Sequence, residues 1–177
     1  MESKTKSIVL TAMFVALVTV ATMVVQIPVA ATQGYVNFGD SMIFLCAYFL
    51  GPIPALIAGA VGSGLADLFV APVWAPFTIV IKGLEGLLCG LLFRAFGKFN
   101  LNKVGKYALN LVGMILSACW MVLGYFFAGW ILTGNAAASL TDVPATFVQG
   151  GVSVAITFAL IFVCKLPVLL QKTDKKS

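Results

Sequence analysis

Residues 35–86 read "YVNFGDSMIFLCAYFLGPIPALIAGAVGSGLADLFVAPVWAPFTIVIKGLEG", a strongly apolar stretch that nevertheless contains four charged side chains. These are Asp40, Asp67, Lys82 and Glu85. An isolated charge at the centre of a bilayer costs roughly 3 kcal/mol or more. The stretch therefore predicts either ion pairs that join helices or a polar cavity between them.

The whole chain has the composition of a membrane protein. Of its 177 residues, 61% are hydrophobic and 10% are charged, whereas soluble domains average about 45–50% and about 25%. The runs Ser7–Gly39, Tyr107–Thr141 and Val143–Cys164 carry no charge, and each can hold the roughly 20 residues of a spanning helix. We expect one all-α integral membrane domain covering residues 1–177.

Glycine and proline divide the chain into six predicted transmembrane helices. Their predicted bounds are Ile8–Ile27, Phe38–Leu50, Ala55–Val70, Phe77–Phe96, Gly105–Leu132 and Pro144–Leu166. The second is short for a full span, so irregular backbone shielded by neighbouring helices is expected near it.

Basic residues set the predicted orientation. Ten of the eleven lie before helix 1, between helices 4 and 5, or after helix 6. With six spans these three places share one side of the membrane, and the opposite loops hold none. The positive-inside rule predicts that this side, with both termini, is cytoplasmic.

The remaining basic residue, Lys82, lies with the acidic residues in the outer half. Lys82 and Glu85 fall roughly 8 and 12 Å below the start of helix 4 and share one face. Asp67 lies near the outer end of helix 3, and Asp40 opens helix 2, where it also suits an N-cap. One interpretation is an ion pair of Lys82 with Asp67 or Glu85 that only joins two helices. The other, favoured by the surplus of acid, is an outward-facing polar pocket.

Aromatic and amide side chains are predicted at the same level. Trp74 precedes helix 4, Tyr125 lies in the outer half of helix 5, and Gln149 lies about one turn into helix 6. An interfacial aromatic belt is the alternative interpretation. Stacking walls with a few polar anchors would suit a flat heteroaromatic ligand.

Several classes of protein are disfavoured by what the sequence lacks. It contains no histidine, no CxxC pair and no GxxxxGK[ST] loop, so neither a zinc site nor ATP binding is expected. We expect a binding protein without cofactor or metal, and not an enzyme. Small residues on helix 3 indicate internal packing, whereas Ala12 and Ala16 on helix 1 suit either packing or a partner protein.

A set of residues between positions 37 and 86 forms a recognisable motif: Asn37-Phe-Gly-Asp40, Gly51-Pro52, Gly59, Gly62-Ser63, Asp67, Trp74-Ala-Pro76, Thr78 and Lys82-Gly-Leu-Glu-Gly86. This motif resembles that of the substrate-binding S component of energy-coupling factor (ECF) vitamin importers. Within that superfamily it is most similar to the branch that takes pyridoxine-like or hydroxymethylpyrimidine-like compounds. The resemblance covers the whole chain in architecture, and its specific motif covers less than a third.

The resemblance implies a vitamin-binding subunit of the bacterial plasma membrane that pairs with a transmembrane T component and two cytoplasmic ATPases. It implies docking on the T component through Ala12 and Ala16. The pocket is then drawn from Asn37, Asp40, Trp74, Thr78, Lys82, Glu85, Tyr125 and Gln149, with Asp67 behind Lys82; Tyr125 and Gln149 come from helix geometry and not from the motif.

Three alternatives remain at the level of sequence. One is an S component for another vitamin, such as pantothenate or riboflavin. A second is a stand-alone proton-coupled carrier that uses Glu85 or Asp67. A third is a membrane scaffold of the rod-shape type, in which all the charges would be paired.

Overall fold

The computed structural model describes residues 2–29 and 34–163, which form a helical bundle with one short hairpin. The helices are α1 (Glu2–Val24), α2 (Gly39–Leu50), α3 (Pro52–Val70), α4 (Ala75–Phe96), α5 (Lys103–Thr133), α6 (Ala136–Leu140) and α7 (Val143–Phe158), and the strands are β1 (Ile27–Val29) and β2 (Gly34–Val36). Within the described residues, α1, α3, α4, α5 and the run Ala136–Phe162 are long and apolar enough to cross a membrane. Helix α2, with 12 residues, is the short one.

The helix breaks follow the glycine and proline pattern. Gly51 separates α2 from α3 with a φ of +90°, a backbone conformation that glycine adopts without steric cost. Proline occupies the first turn of α3, α4 and α7, where its missing N–H removes no helical hydrogen bond.

Small residues let α3 pack tightly against its neighbours. A Cβ on Gly59 would collide with the backbone carbonyl of Lys82 in α4, and one on Gly62 would meet Val18 of α1. The backbone widens into a π-helix over Ala58–Ser63 within this contact. The predicted internal packing role of these residues agrees with this arrangement.

Helix α2 lies at the centre of the bundle. Its Ile43, Phe44 and Cys46 are fully buried, and they pack with residues of α1, α3, α4, α5 and α7 in one apolar core. The outer surface carries exposed Ile8, Phe69 and many other large apolar side chains. A surface covered by large apolar side chains suits contact with lipid rather than with water.

The main differences from the predicted helices lie at the end of the first helix and in a short helix before the last one. The first helix ends at Val24 rather than Ile27, because Ile27–Val29 pairs antiparallel with Gly34–Val36. The short helix α6 was not predicted. The last helix continues from α7 through a π-helical stretch, Ala159–Val163; its predicted end at Leu166 and the basic residues after it lie outside the described residues.

Candidate functional site

The four charged residues of the stretch 35–86 are buried and fall into two neighbouring groups, one formed by Lys82, Asp40 and Glu85 and the other containing Asp67. Lys82 of α4 forms an ion pair with Asp40 at the start of α2. The Nζ of Lys82 also lies 3.3 Å from the carboxylate of Glu85 and 2.8 Å from the Sδ of Met121. Lys82, Asp40 and Glu85 are 1%, 0% and 0% exposed, so one ammonium serves two carboxyl groups away from water.

Gln149 of α7 connects this charged cluster to the hairpin. Its Nε2 donates to the second carboxylate oxygen of Asp40 over 2.8 Å, and its Oε1 accepts from the backbone N–H of Asn37 over 3.0 Å. The Asn37 side chain in turn accepts from the backbone N–H of Gly39 over 2.9 Å. A continuous chain of hydrogen bonds thus runs from Lys82 through Asp40 and Gln149 to the segment after β2.

Asp67 belongs to a second polar group beside the first. It accepts a hydrogen bond from the hydroxyl of Tyr35 in β2. Burial, followed by this hydrogen bond, raises the pKa of Tyr35 well above its ordinary value of 10.0. Close by, the hydroxyls of Thr78 and Tyr125 lie 3.1 Å apart.

A cavity of about 580 Å³, its open mouth included, lies at the hairpin end of the bundle. Its lining consists of Tyr35, Val36, Asn37, Asp67, Trp74, Tyr125, Phe126, Ser139, Asp142, Val143, Thr146 and Gln149. The rings of Trp74 and Tyr125 form part of its wall with their centroids 5.9 Å apart. Among the described residues, the lining contains two carboxyl groups and no lysine or arginine.

The predicted site residues therefore fall into two sets. Asn37, Trp74, Tyr125, Gln149 and the supporting residue Asp67 line the cavity. Asp40, Thr78, Lys82 and Glu85 are not in the lining and lie buried beside it. Lys82 and Glu85 thus lie behind the cavity wall, and their direct contact with a ligand stays a prediction.

Of the two ion pairs considered for Lys82 from the sequence, the one with Glu85 is present and the one with Asp67 is not. The sequence analysis placed Asp67 behind Lys82, but the nearest carboxylate is that of Asp40. Asp67 instead bonds to Tyr35. The reason is the position of α2: its first turn points Asp40 into the bundle, where the carboxylate meets Lys82, rather than capping the helix end. The side chain of Asp40 makes no cap hydrogen bond in α2, whose N-cap residue is Phe38.

Sequence reasoning missed several lining residues near the start of α7. Asp142, Thr146 and Gln149 are spaced by four and three residues, the repeat of one helix face. Only Gln149 was included in the predicted site. Phe126 is the neighbour of the predicted Tyr125 in α5. Ser139 lies in α6, a helix that was not predicted from the sequence. The Oγ of Ser139 donates to the carbonyl of Phe126 over 2.5 Å.

The predicted partner surface is exposed in the isolated chain. Ala12 and Ala16 face outward from α1, whereas Phe14 and Val18 on the other side are buried in the bundle. The small residues are therefore not used for packing within this chain, which leaves them available to another helix.

Both the sequence and the fold are similar to those of known proteins. Residues 2–166 match the family described as "ECF-type riboflavin transporter, S component". The chain is 47% identical over 121 residues to a Pyrococcus woesei protein described as "Uncharacterized protein in gap 3'region", a match that covers 68% of this chain and 76% of that one. Its fold is similar to that of "the S component of a bacterial ECF transporter", with a TM-score of 0.68, 18% identity, and coverage of 94% of this chain and 98% of the other.

The fold defines a multi-pass membrane protein with a cavity at one end. The chain belongs to the family of ECF-type riboflavin transporter S components. It is therefore a substrate-binding transporter subunit of the cell membrane and not an enzyme, which the sequence resemblance had predicted.

Proposed function

We propose that this chain captures a small heteroaromatic vitamin, of the pyridoxine or hydroxymethylpyrimidine type. Its site is the cavity lined by the hairpin, the end of α3, Trp74, α5, α6 and the start of α7. The observation that carries the proposal is the composition of the cavity wall. Trp74, Tyr125 and Phe126 offer aromatic faces, and Asp67, Asn37 and Gln149 place polar groups among them. Apolar and aromatic walls with a few placed polar groups are the usual composition of small-ligand sites.

The charge of the lining narrows the substrate class. With two carboxyl groups and no lysine or arginine in the wall, the cavity favours neutral or cationic ligands over phosphorylated ones. Carboxylates accept hydrogen bonds from ligand hydroxyl groups or from a protonated ring nitrogen. A pyridine or pyrimidine with hydroxymethyl groups supplies both of these, together with a ring that can stack on Trp74 or Tyr125.

The buried cluster then acts on the ligand through Gln149. Lys82 and Asp40 hold the amide of Gln149 in one orientation, since Asp40 accepts from its Nε2. The other end of the same amide holds the backbone of Asn37, which lies in the cavity wall. In this proposal the charged groups fix the shape of the site, and the ligand contacts the residues in front of them.

Riboflavin is a second candidate, favoured by the description of the matching family. Its flavin ring is also a flat neutral heteroaromatic system and its side chain carries hydroxyl groups, so the same wall chemistry applies. The two candidates differ mainly in ring size and in the number of hydroxyl groups to be satisfied.

The proposal extends to orientation and partners. Six spans with both termini in the cytoplasm would place the cavity outside, and the basic residues 94–106 inside. The exposed Ala12 and Ala16 would dock on a transmembrane T component, which two cytoplasmic ATPases would energise. Neither a proton-coupled mechanism nor a scaffold role explains why this chain has an aromatic-lined cavity and belongs to an S-component family.

Native mass spectrometry of the protein purified from its own membrane tests the substrate class. We expect a co-purifying small molecule with a heteroaromatic ring and no phosphate, and its loss from a Trp74→Ala variant but not from a Trp130→Ala variant, since Trp130 is exposed and outside the cavity. A phosphorylated or purely aliphatic molecule would contradict the proposal.

A further inference from the structure

A second cavity lies at the opposite end of the bundle from the first. It holds about 800 Å³ of empty space, its open mouth included, and is lined by Ala47, Tyr48, Gly51, Gly90, Phe93, Arg94, Phe96, Gly97, Lys106 and Asn110. These residues come from the end of α2, the end of α4 and the start of α5. Helix α4 rises roughly 30 Å between Trp74 and Phe96, so the two cavities are separated by most of a membrane thickness.

The polar part of this lining is basic. Arg94 and Lys106 belong to it, and no acidic residue does. Both side chains are exposed, and in the part of the chain that the structure describes neither forms an ion pair; the ion pairs there are those of Lys82. Residues 94–106 add Lys98 and Lys103 and contain no acidic residue, so nothing nearby in the sequence neutralises the charge.

The rest of the lining is apolar. Tyr48, Phe93 and Phe96 contribute half-buried aromatic rings, and Ala47 and Gly90 form a buried floor. Outside the cavity, Phe99, Leu101 and Val104 of the connecting segment are exposed. Arg94 and Lys106, which have no ion-pair partner among residues 2–29 and 34–163, therefore lie above an apolar recess. The apolar helices end here, which is the level of lipid headgroups.

We propose that this cavity binds an anionic phospholipid, with the phosphate between Arg94 and Lys106 and an acyl chain against Phe93 and Phe96. Basic pockets between transmembrane helices are suited to acidic headgroups, and arginine adds bidentate contact to phosphate oxygens. The site is independent of the vitamin cavity, and the inference does not depend on which substrate that cavity takes.

A lipid fits these features better than a soluble anion or a protein. A soluble phosphate would use Arg94 and Lys106 but would leave the aromatic recess below them in contact with water. The partner surface expected from the sequence is on α1, and no residue of α1 lines this cavity.

The test compares two double variants that each remove two positive charges. Arg94→Gln with Lys106→Gln changes the cavity, whereas Lys98→Gln with Lys103→Gln changes the same connecting region outside its lining. The full-length protein is reconstituted in nanodiscs of equal parts phosphatidylglycerol and phosphatidylcholine, and retained lipids are counted by native mass spectrometry. We expect preferential retention of phosphatidylglycerol by the wild type and the outside pair. The cavity pair should lose that preference by about thirtyfold.

Four results would overturn the inference. The first is equal retention of the two lipids by the wild type. The second is an equal loss in both double variants, which would indicate general surface charge. The third is thermal stabilisation by inorganic phosphate as large as that by dihexanoyl-phosphatidylglycerol, which would indicate a free-anion site.

Arg94→Lys with Lys106→Arg preserves the charge and should retain the lipid, so a folding defect in the glutamine pair can be recognised. Loss of T-component binding by the cavity pair with lipid retention unchanged would instead indicate a protein partner.

Discussion

The side-chain amide of Gln149 donates to the carboxylate of Asp40 over 2.8 Å, although 109 residues separate the two in the chain. Asp40 is simultaneously paired with Lys82, and Gln149 simultaneously holds the backbone of Asn37. Helices α2, α4 and α7 and the hairpin are thereby joined through fully buried polar groups. Because water cannot replace these partners, each group depends on the others for its hydrogen bonds.

Removing the base from the charged cluster should destabilise the protein more than neutralising one acid. Lys82→Met leaves two buried carboxyl groups without a counter-charge, which should cost about 3–5 kcal/mol. Glu85→Gln keeps the Asp40–Lys82 pair, so its melting temperature should fall less and its vitamin affinity should change by less than about threefold. Melting curves and calorimetric titrations of both variants check this. A tenfold or greater loss of affinity in Glu85→Gln at a normal melting temperature would show that Glu85 contacts the ligand after all.

Tyr35 should make stability fall at alkaline pH. Because its pKa is raised in the folded state, the folded and unfolded forms differ in bound protons only above the ordinary tyrosine pKa of about 10. Stability from this group is therefore complete below pH 10 and is lost as pH rises further. Tyr35→Phe should have a shallower decline of melting temperature between about pH 10 and 11. Tyr107→Phe, at the far end of α5, serves as the control, and identical curves for Tyr35→Phe and wild type would refute the prediction.

Bulky residues on the small face of α1 should uncouple binding from transport. Ala12→Trp and Ala16→Trp should bind the vitamin as the wild type does but should abolish uptake, because an indole would hold a partner helix away. Leu17→Trp is the matched control, since Leu17 is also exposed but lies about 100° or more around the helix from Ala12 and Ala16. Wild-type uptake by either alanine variant would show that this face is not the dock.

The proposed orientation can be tested by labelling in intact cells. In a background without cysteine, single cysteines at Ala137 and Lys103 report on the two ends of the bundle, and both positions are exposed. A membrane-impermeant maleimide should label position 137 and not position 103. The reverse pattern would overturn the topology.

The helix boundaries could be predicted from the sequence because they depend on local backbone chemistry. Gly51 and the prolines that open α3, α4 and α7 stop or start helices through backbone geometry alone, so these bounds were predicted within a few residues. The hairpin was missed because Ile27–Val29 is apolar and continues the pattern of α1. Its strand character depends on pairing with Gly34–Val36, a contact that a helical period does not reveal.

The sequence predicted which end of the bundle holds the candidate site more accurately than it predicted the side-chain contacts within that site. Helical periodicity and depth were enough to bring Trp74, Tyr125 and Gln149 to one end of the bundle. The choice of partner for Lys82 depends on how α2 is rotated and inserted among its neighbours, which no residue spacing specifies. For that reason Asp40 and not Asp67 forms the ion pair, and Lys82 lies behind the cavity wall rather than in it.

Calorimetric titration of the purified protein with pyridoxine, hydroxymethylpyrimidine and riboflavin tests whether the cavity beside Gln149 binds a heteroaromatic vitamin. The wild type is compared with Gln149→Leu and with the exposed control Gln26→Leu. Gln149 binds Asp40 and Asn37 at once, and hydrogen bonds to charged groups contribute about 1.5–3 kcal/mol each. We predict that the wild type and Gln26→Leu bind one of these vitamins at micromolar concentration or tighter, and that Gln149→Leu binds it roughly ten- to a hundredfold more weakly. No binding of any of the three by the wild type, or unchanged affinity in a well-folded Gln149→Leu variant, would contradict the account.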